Sequence, residues 1–326
     1  VLRVPFSEPN LGLLEAEYLK DALLSGWIGG KGDYIDEFEH EFAKFIGVRH
    51  AITCSSGTMA LQLAYHAAGL SSEHRLCIAA DSFIAPTNMA YLFTHKIEKY
   101  AADKDTWTLK IDDFKDCFVT AVHNYGNPVD MGCAYKKKFI LIEDCAESLG
   151  SKFKGKMTGS YGLASTFSFH SAKMITTGEG GMVCTNNDEL AKRVRHLKNQ
   201  SMTEPYKHTG MGYNGRMTNL QAAVGLAQLE RIDEFIKHKR MVTDFYNTNL
   251  DKRYQRQRDQ RNSWVVKWAN AYRTEKANDV RKQLSDCGIE TRPGFIGEDT
   301  IVFPCATTLT TSDLDYIVRM ANESIA

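Results

Sequence analysis

Ser165-Thr166-Phe167-Ser168-Phe169-His170-Ser171-Ala172-Lys173-Met174-Ile175-Thr176-Thr177-Gly178-Glu179-Gly180-Gly181 is an apolar run that delivers a lysine to a glycine-rich turn, from which a new strand starts. A lysine in that setting can form a Schiff base if desolvation or a nearby positive charge lowers its pKa enough to leave the amine neutral. On its own Lys173 reads equally well as a surface lysine beside a turn. Upstream, Phe139-Ile140-Leu141-Ile142-Glu143-Asp144-Cys145-Ala146-Glu147-Ser148 is a buried strand running straight into acids. The C-terminal ends of parallel strands are where ligands bind. A carboxylate there can pair with a pyridinium nitrogen, which keeps the ring an electron sink. Asp144 also suits the N-cap of a helix over Cys145–Leu149, and both roles are compatible.

Further upstream, Cys54-Ser55-Ser56-Gly57-Thr58-Met59-Ala60-Leu61 ends a strand, turns on small hydroxylated residues and begins a helix. Such a turn aims free N–H groups and hydroxyls at an anion, or simply caps the helix. No G-K-[ST] follows it, so it is not a Walker loop. Gly178-Glu179-Gly180-Gly181 opens a strand and does not match G-x-G-x-x-G, which removes the nicotinamide fingerprint.

Around these segments short apolar runs alternate with helical patterns. Strands are expected at 50–54, 76–80, 97–101, 118–122, 139–142 and 182–185, and helices at 57–69, 86–93 and 188–197. That alternation predicts an α/β fold, a mostly parallel sheet flanked by helices. After about residue 220 the pattern changes. Residues 220–250 read as long helix in two pieces, 273–287 as a helix closed by Gly288, 289–291 as a strand and 313–325 as a final helix. The expected division is a large domain over residues 1–220 and a smaller α+β C-terminal domain over 221–326. Arg253, Arg256, Arg258 and Arg261 lie in a polar stretch that reads as a solvated connector, since no aromatic pattern accompanies them.

Composition narrows the function classes. Lys plus Arg and Asp plus Glu are 40 each, so no net charge draws the 326-residue chain to nucleic acid or anionic membrane. No apolar stretch is long enough to span a bilayer, and Val1-Leu2-Arg3-Val4-Pro5 has no signal core. The eight cysteines form no C-x-x-C pair, and Cys54, Cys77 and Cys184 sit inside apolar runs. They read as buried strand residues, neither disulfides nor a metal site, in a reducing cytoplasm.

Together these segments resemble the fold-type I aminotransferases, and within them the DegT/DnrJ/EryC1/StrS family acting on nucleotide-linked keto sugars. The resemblance spans most of the chain: Ser25-Gly26-Trp27-Ile28-Gly29-Gly30-Lys31-Gly32, Phe38-Glu39, Ser56-Gly57-Thr58, His123-Asn124-Tyr125-Gly126-Asn127-Pro128, Glu143-Asp144, the Lys173 segment, and Gly212-Tyr213-Asn214-Gly215-Arg216-Met217-Thr218-Asn219-Leu220. The wording around Asp144 and Thr177 is nearest the perosamine-like members, which aminate C4 of a 4-keto-6-deoxy sugar. The resemblance implies pyridoxal 5′-phosphate carried by Lys173, with Asp144 on the pyridine nitrogen and Gly57, Thr58 and Ser168 on the phosphate. It implies Phe83 stacked on the ring, Glu147 beside the cofactor, and Asn214 reaching the phosphate of a neighbouring subunit in a homodimer. L-glutamate is the implied amino donor.

Three departures from the family pattern stand out. Glu147 replaces a common Gln or His, Ala80-Asp81 replaces a proline-containing entry to the Phe83 loop, and the chain after Pro293 lacks a long His-containing segment that helps hold substrate. Rival readings are a sugar dehydratase of the same family, disfavoured by a lysine at position 173, a 3-aminotransferase, and a non-catalytic cofactor-binding protein.

Overall fold

The structure, a computed structural model, describes residues 3–111, 114–132 and 138–325. Two helices that the sequence reading did not assign come first, α1 (Leu13–Leu24) and α2 (Asp33–Ile46). In α2, Ile35, Phe38, Phe42, Ala43 and Ile46 recur at helical spacing and are buried. They pack on α6 (Asn219–Glu230), where Gly225 lets the helices approach: a Cβ there would stand 2.6 Å from the Phe38 ring. Buried Glu15 ties α1 to the end of α6 by accepting from Gln228 Nε2 at 2.6 Å and Arg231 at 2.8 Å.

Next come β1 (His50–Cys54), α3 (Gly57–Ala68), β2 (Leu76–Ala79), α4 (Ala85–Ala90), β3 (Ile97–Tyr100), β4 (Phe118–Val122) and β5 (Ile140–Asp144). A small hairpin, β6 (Lys152–Phe153) and β7 (Lys156–Met157), precedes β8 (Ala164–Ser168), β9 (Gly181–Thr185) and α5 (Asp188–Lys198). Among the described residues the main sheet has seven strands in the order β1-β9-β8-β5-β4-β2-β3. Strand β9 runs antiparallel to both neighbours, β1 and β8, and every other pairing is parallel. The sheet is covered on both faces, as its continuous apolar strands require. Along β9, Met182 and Cys184 point into the core beneath α2 and α6, while Val183 points into the core beneath α3 and α5.

A second hairpin, β10 (Met202–Glu204) with β11 (Lys207–His208), leads to α6 and α7 (Ile232–Asn249). The C-terminal region then builds an antiparallel sheet from β12 (Gln255–Arg256), β14 (Asn270–Arg273), β15 (Arg292–Pro293) and β16 (Thr300–Phe303), ordered β12-β14-β16-β15. Strand β13 (Ser263–Trp264) instead joins β6 of the first hairpin. Helices α8 (Ala277–Asp286) and α9 (Thr311–Ile325) complete this region around Tyr272, Val280, Phe303 and Ile317.

Two C-terminal expectations shift. Arg273 does not open a helix; it pairs with Thr300 in the ladder and its guanidinium holds Asp299 at 2.7 Å, so α8 starts four residues on. Ile289 makes only an isolated bridge to Val4, and the strand falls at Arg292–Pro293. Gly288, with φ +74°, does terminate α8. In the basic stretch Arg253 pairs with Asp251 and Arg258 with Asp105, as surface ion pairs. No helix among the described residues is long and apolar enough to cross a membrane.

Candidate active site

The C-terminal ends of β1, β5 and β8 open onto one pocket, lined by Gly57, Thr58, Phe83, Asp144, Glu147, Ser168 and Lys173. Seven of the eight expected site residues therefore meet there. The eighth, Asn214, is exposed and bridges Asn199 through its backbone, outside this pocket of its own chain.

Asp144 ends β5 and is buried, and its Oδ1 accepts from Ala146 N at 3.0 Å. The N-cap alternative is not realised, because 145–149 form turns and no helix starts there. No partner for Oδ2 occurs among the described residues. Burial raises the Asp144 pKa, while the Ala146 amide, Lys173 and His123 oppose it. Below it, buried His123 and Glu143 are 3.2 Å apart. His123 Nδ1 accepts from Val129 N at 3.0 Å, which places its proton on Nε2, toward Glu143. Glu143 also accepts the amides of Gly159, Tyr161 and Gly162. Cys145 Sγ lies near both, but Glu143 is already saturated, so the trio supports the strand end and is not a free ligand set.

Lys173 sits in the turn after β8, its backbone N–H donating to His170 O at 2.8 Å. Its Nζ lies 3.9 Å from Glu147 Oε1 and 3.9 Å from the centroid of the Trp268 ring. Burial lowers the lysine's pKa, with Glu147 and Asp144 pulling the other way. Glu147 Oε2 accepts from Tyr125 N at 2.7 Å, and burial pushes this carboxyl up to about 7 against the pull of Lys173 and that amide. Tyr125 adopts φ +56°, a left-handed conformation that costs a non-glycine residue energy and is held by its contacts. Its ring stacks on Phe295 at 5.0 Å and its Oη accepts from Phe295 N at 2.7 Å. Phe83, 54% exposed at the rim, meets Phe295 edge-on at 6.1 Å.

At the start of α3, Ser56 Oγ accepts from Met59 N at 3.1 Å. The Gly57 and Thr58 amides have no acceptor among the described residues, as the first turn of a helix allows. A Cβ on Gly57 would lie 2.7 Å from Ser168 Cβ, so glycine keeps this cradle open. The donor set fits a flat ring bearing a phosphate: paired amides and hydroxyls for the anion, a buried carboxylate for a basic ring nitrogen, and an amine of lowered pKa between them.

Sequence reading missed Trp268, and placed Tyr125 only inside a family motif. Trp268 lies in the connector before β14 and carries no local signal; its role follows from tertiary placement alone.

The arrangement of sheet, cradle and buried lysine is that of the fold-type I pyridoxal-phosphate-dependent aminotransferases. Residues 10–319 match the DegT/DnrJ/EryC1/StrS aminotransferase family, and the chain belongs to it. It is 40% identical over 308 residues to the GDP-perosamine synthase of Escherichia coli O157:H7, covering 90% of this chain and 84% of that protein. The GDP-perosamine synthase of Vibrio cholerae is 35% identical over 316 residues, covering 91% and 86%. Among solved structures, a putative sugar aminotransferase, Spr1654 from Streptococcus pneumoniae in its PMP form, superposes with a TM-score of 0.92 at 20% identity, over 99% of both chains.

Proposed function

We propose that this protein transfers an amino group from L-glutamate to C4 of a nucleotide-linked 4-keto-6-deoxyhexose, giving the 4-amino-4,6-dideoxy sugar. The observation that carries the chemistry is the Lys173 amine, largely buried between Glu147 and Trp268 and opening onto the same pocket as Asp144 and the α3 cradle. The choice of sugar rests on the 40% identity to a GDP-perosamine synthase.

Pyridoxal 5′-phosphate, when bound, supplies the electron sink that makes the donor's Cα–H acidic. Lys173 anchors it. Gly57, Thr58 and Ser168 would hold its phosphate, Asp144 would pair with the ring nitrogen and Phe83 would cover the ring, while Glu147 lies beside Lys173. During turnover Lys173 Nζ would take the proton from the donor Cα; a water supplies the keto oxygen with which the donor leaves as its 2-keto acid, and the amino nitrogen stays behind with the cofactor. In the second half Lys173 Nζ delivers a proton to the sugar C4, and water carries away the ketone oxygen. Asn214, exposed on its own chain, reaches the phosphate site of a partner subunit in a homodimer. The division near residue 220 separates the cofactor-binding region from the smaller C-terminal domain. A reducing cytoplasm suits the described cysteines, which are free thiols and all buried except Cys287.

Incubation with glutamate and a panel of GDP-, UDP- and dTDP-linked keto sugars, read by mass spectrometry, tests the reading. The expected result is conversion of a 4-keto-6-deoxy sugar to its amine. Loss of water from the sugar without amination would instead support a dehydratase.

A further inference from the structure

We infer that Trp268 and Lys239 are positioning residues for the Lys173 amine: the buried Lys239 ammonium fixes Trp268 by its carbonyl, and the Trp268 indole caps the amine. The inference rests on the reading of Lys173 as the cofactor lysine.

Lys239, on α7, is 2% exposed and has no carboxylate partner among the described residues. Its Nζ donates to Trp268 O at 2.7 Å and to Cys305 O. A buried ammonium held only by neutral carbonyls is costly to keep, and the transfer chemistry does not use it. What it joins is informative. The Trp268 carbonyl belongs to the connector before β14 and the Cys305 carbonyl to the segment after β16, so one side chain fastens both to α7. From Trp268 the chain of contacts continues to the site. Indole Nε1–H donates at 2.8 Å to Ala172 O, the residue preceding Lys173, and Ser7 Oγ donates to the same carbonyl at 3.3 Å. The indole face then lies 3.9 Å from Lys173 Nζ, and Phe6 packs edge-on against it at 6.3 Å. The amine is thereby closed on the Trp268 side and left to face Glu147.

The charged or titratable groups acting on Lys173 are Glu147, Asp144 and Cys305, with Lys239 beyond; those acting on Lys239 are Cys305 and Lys173, with His238 alongside. Burial lowers the pKa of both amines, and the Lys173 charge lowers that of Lys239 further. Replacing Lys239 by Met frees the Trp268 carbonyl, lets the indole shift and admits water to the amine, which makes Lys173 easier to protonate.

The test uses the full-length protein loaded with pyridoxamine phosphate, which leaves the lysine amine free. Competitive labelling with acetic anhydride from neutral to alkaline pH, read on the Lys173 peptide, gives a midpoint and a limiting rate. Lys239→Met should raise the midpoint by about 0.5 unit or more. Trp268→Phe, which loses the Nε1 donor and part of the ring, should raise the limiting rate about threefold or more as the amine is uncovered. Folded variants with unchanged midpoint and limiting rate overturn the inference, even if they melt earlier. Should Lys239→Met fail to fold, the limiting rate of Trp268→Phe decides alone. Equal labelling of Lys173 in wild-type protein loaded with pyridoxal phosphate or with pyridoxamine phosphate would instead overturn its assignment as the covalent anchor.

Discussion

Lys173 and Glu147 face each other with opposite responses to burial, the amine pushed down and the carboxyl up to about 7. Burial thus disfavours the charge on each of them. Borohydride reduction of the holoenzyme should fix a pyridoxyl group on the peptide containing Lys173; label on Lys138 or Lys156 would reject it as the anchor. Asp144→Asn keeps an acceptor for the Ala146 amide but cannot offset a positive ring nitrogen. Turnover should fall by orders of magnitude while the melting temperature barely moves, and near-normal turnover would leave Asp144 a turn residue only. For Glu147 the sign is fixed by its raised pKa. The folded state binds this proton more tightly than the unfolded chain, so the stabilisation is complete below the ordinary value of 4.5 and disappears as pH rises through about 7. Between pH 5 and 8, cofactor-free wild type should lose up to about 3 kcal/mol relative to Glu147→Gln in denaturant titrations. Parallel pH curves for the two proteins would contradict the raised value.

At the scale of elements, the strand–helix alternation, the buried strand ending in Asp144 and the lysine turn were legible because each depends on local periodicity. The β1–α3 turn was legible as the start of a helix for the same reason: small residues and a glycine precede a helical pattern. What escaped depends on distant partners. Arg273 has a helix-compatible flank, but its ladder with Thr300 and its ion pair with Asp299 decide for strand. Helix α1 is defined by its packing against α6, far along the chain, whereas α2 carries its own helical spacing and was simply not read. Trp268 and Lys239 acquire their positions only when α7 meets the connector before β14. The cradle gives this scale its prediction. Gly57→Ala would drive a methyl to 2.7 Å from Ser168 Cβ, narrowing the anion site without touching the sheet. Affinity for pyridoxal phosphate, followed by absorbance, should fall about tenfold or more, roughly 1.4 kcal/mol, with unfolding little changed. Unaltered affinity would move the phosphate elsewhere.

For the whole molecule the exposed placement of Asn214 sets the test. If one subunit completes its neighbour's site, Lys173→Ala and Asn214→Ala proteins, each inactive, should regain activity when mixed under exchange, because one site of each mixed dimer is intact. A fully active monomer in light scattering would exclude shared sites. The strand order carries a further consequence, for synthesis. Strand β1 has β9 as its neighbour in the main sheet, with Cys54 opposite Gly181. Until the ribosome has delivered residue 185, the early strand has no ladder to join, and its apolar residues wait in a partly made chain. Gly181 also packs against the backbone of Ser56, where a Cβ would come within 2.3 Å of the carbonyl oxygen. The amides that open α3 are thus brought to their final bearing by the late-arriving strand. Cofactor capture becomes a checkpoint of biogenesis: nascent chains stalled before β9 should not retain pyridoxal phosphate, and those stalled well beyond it should.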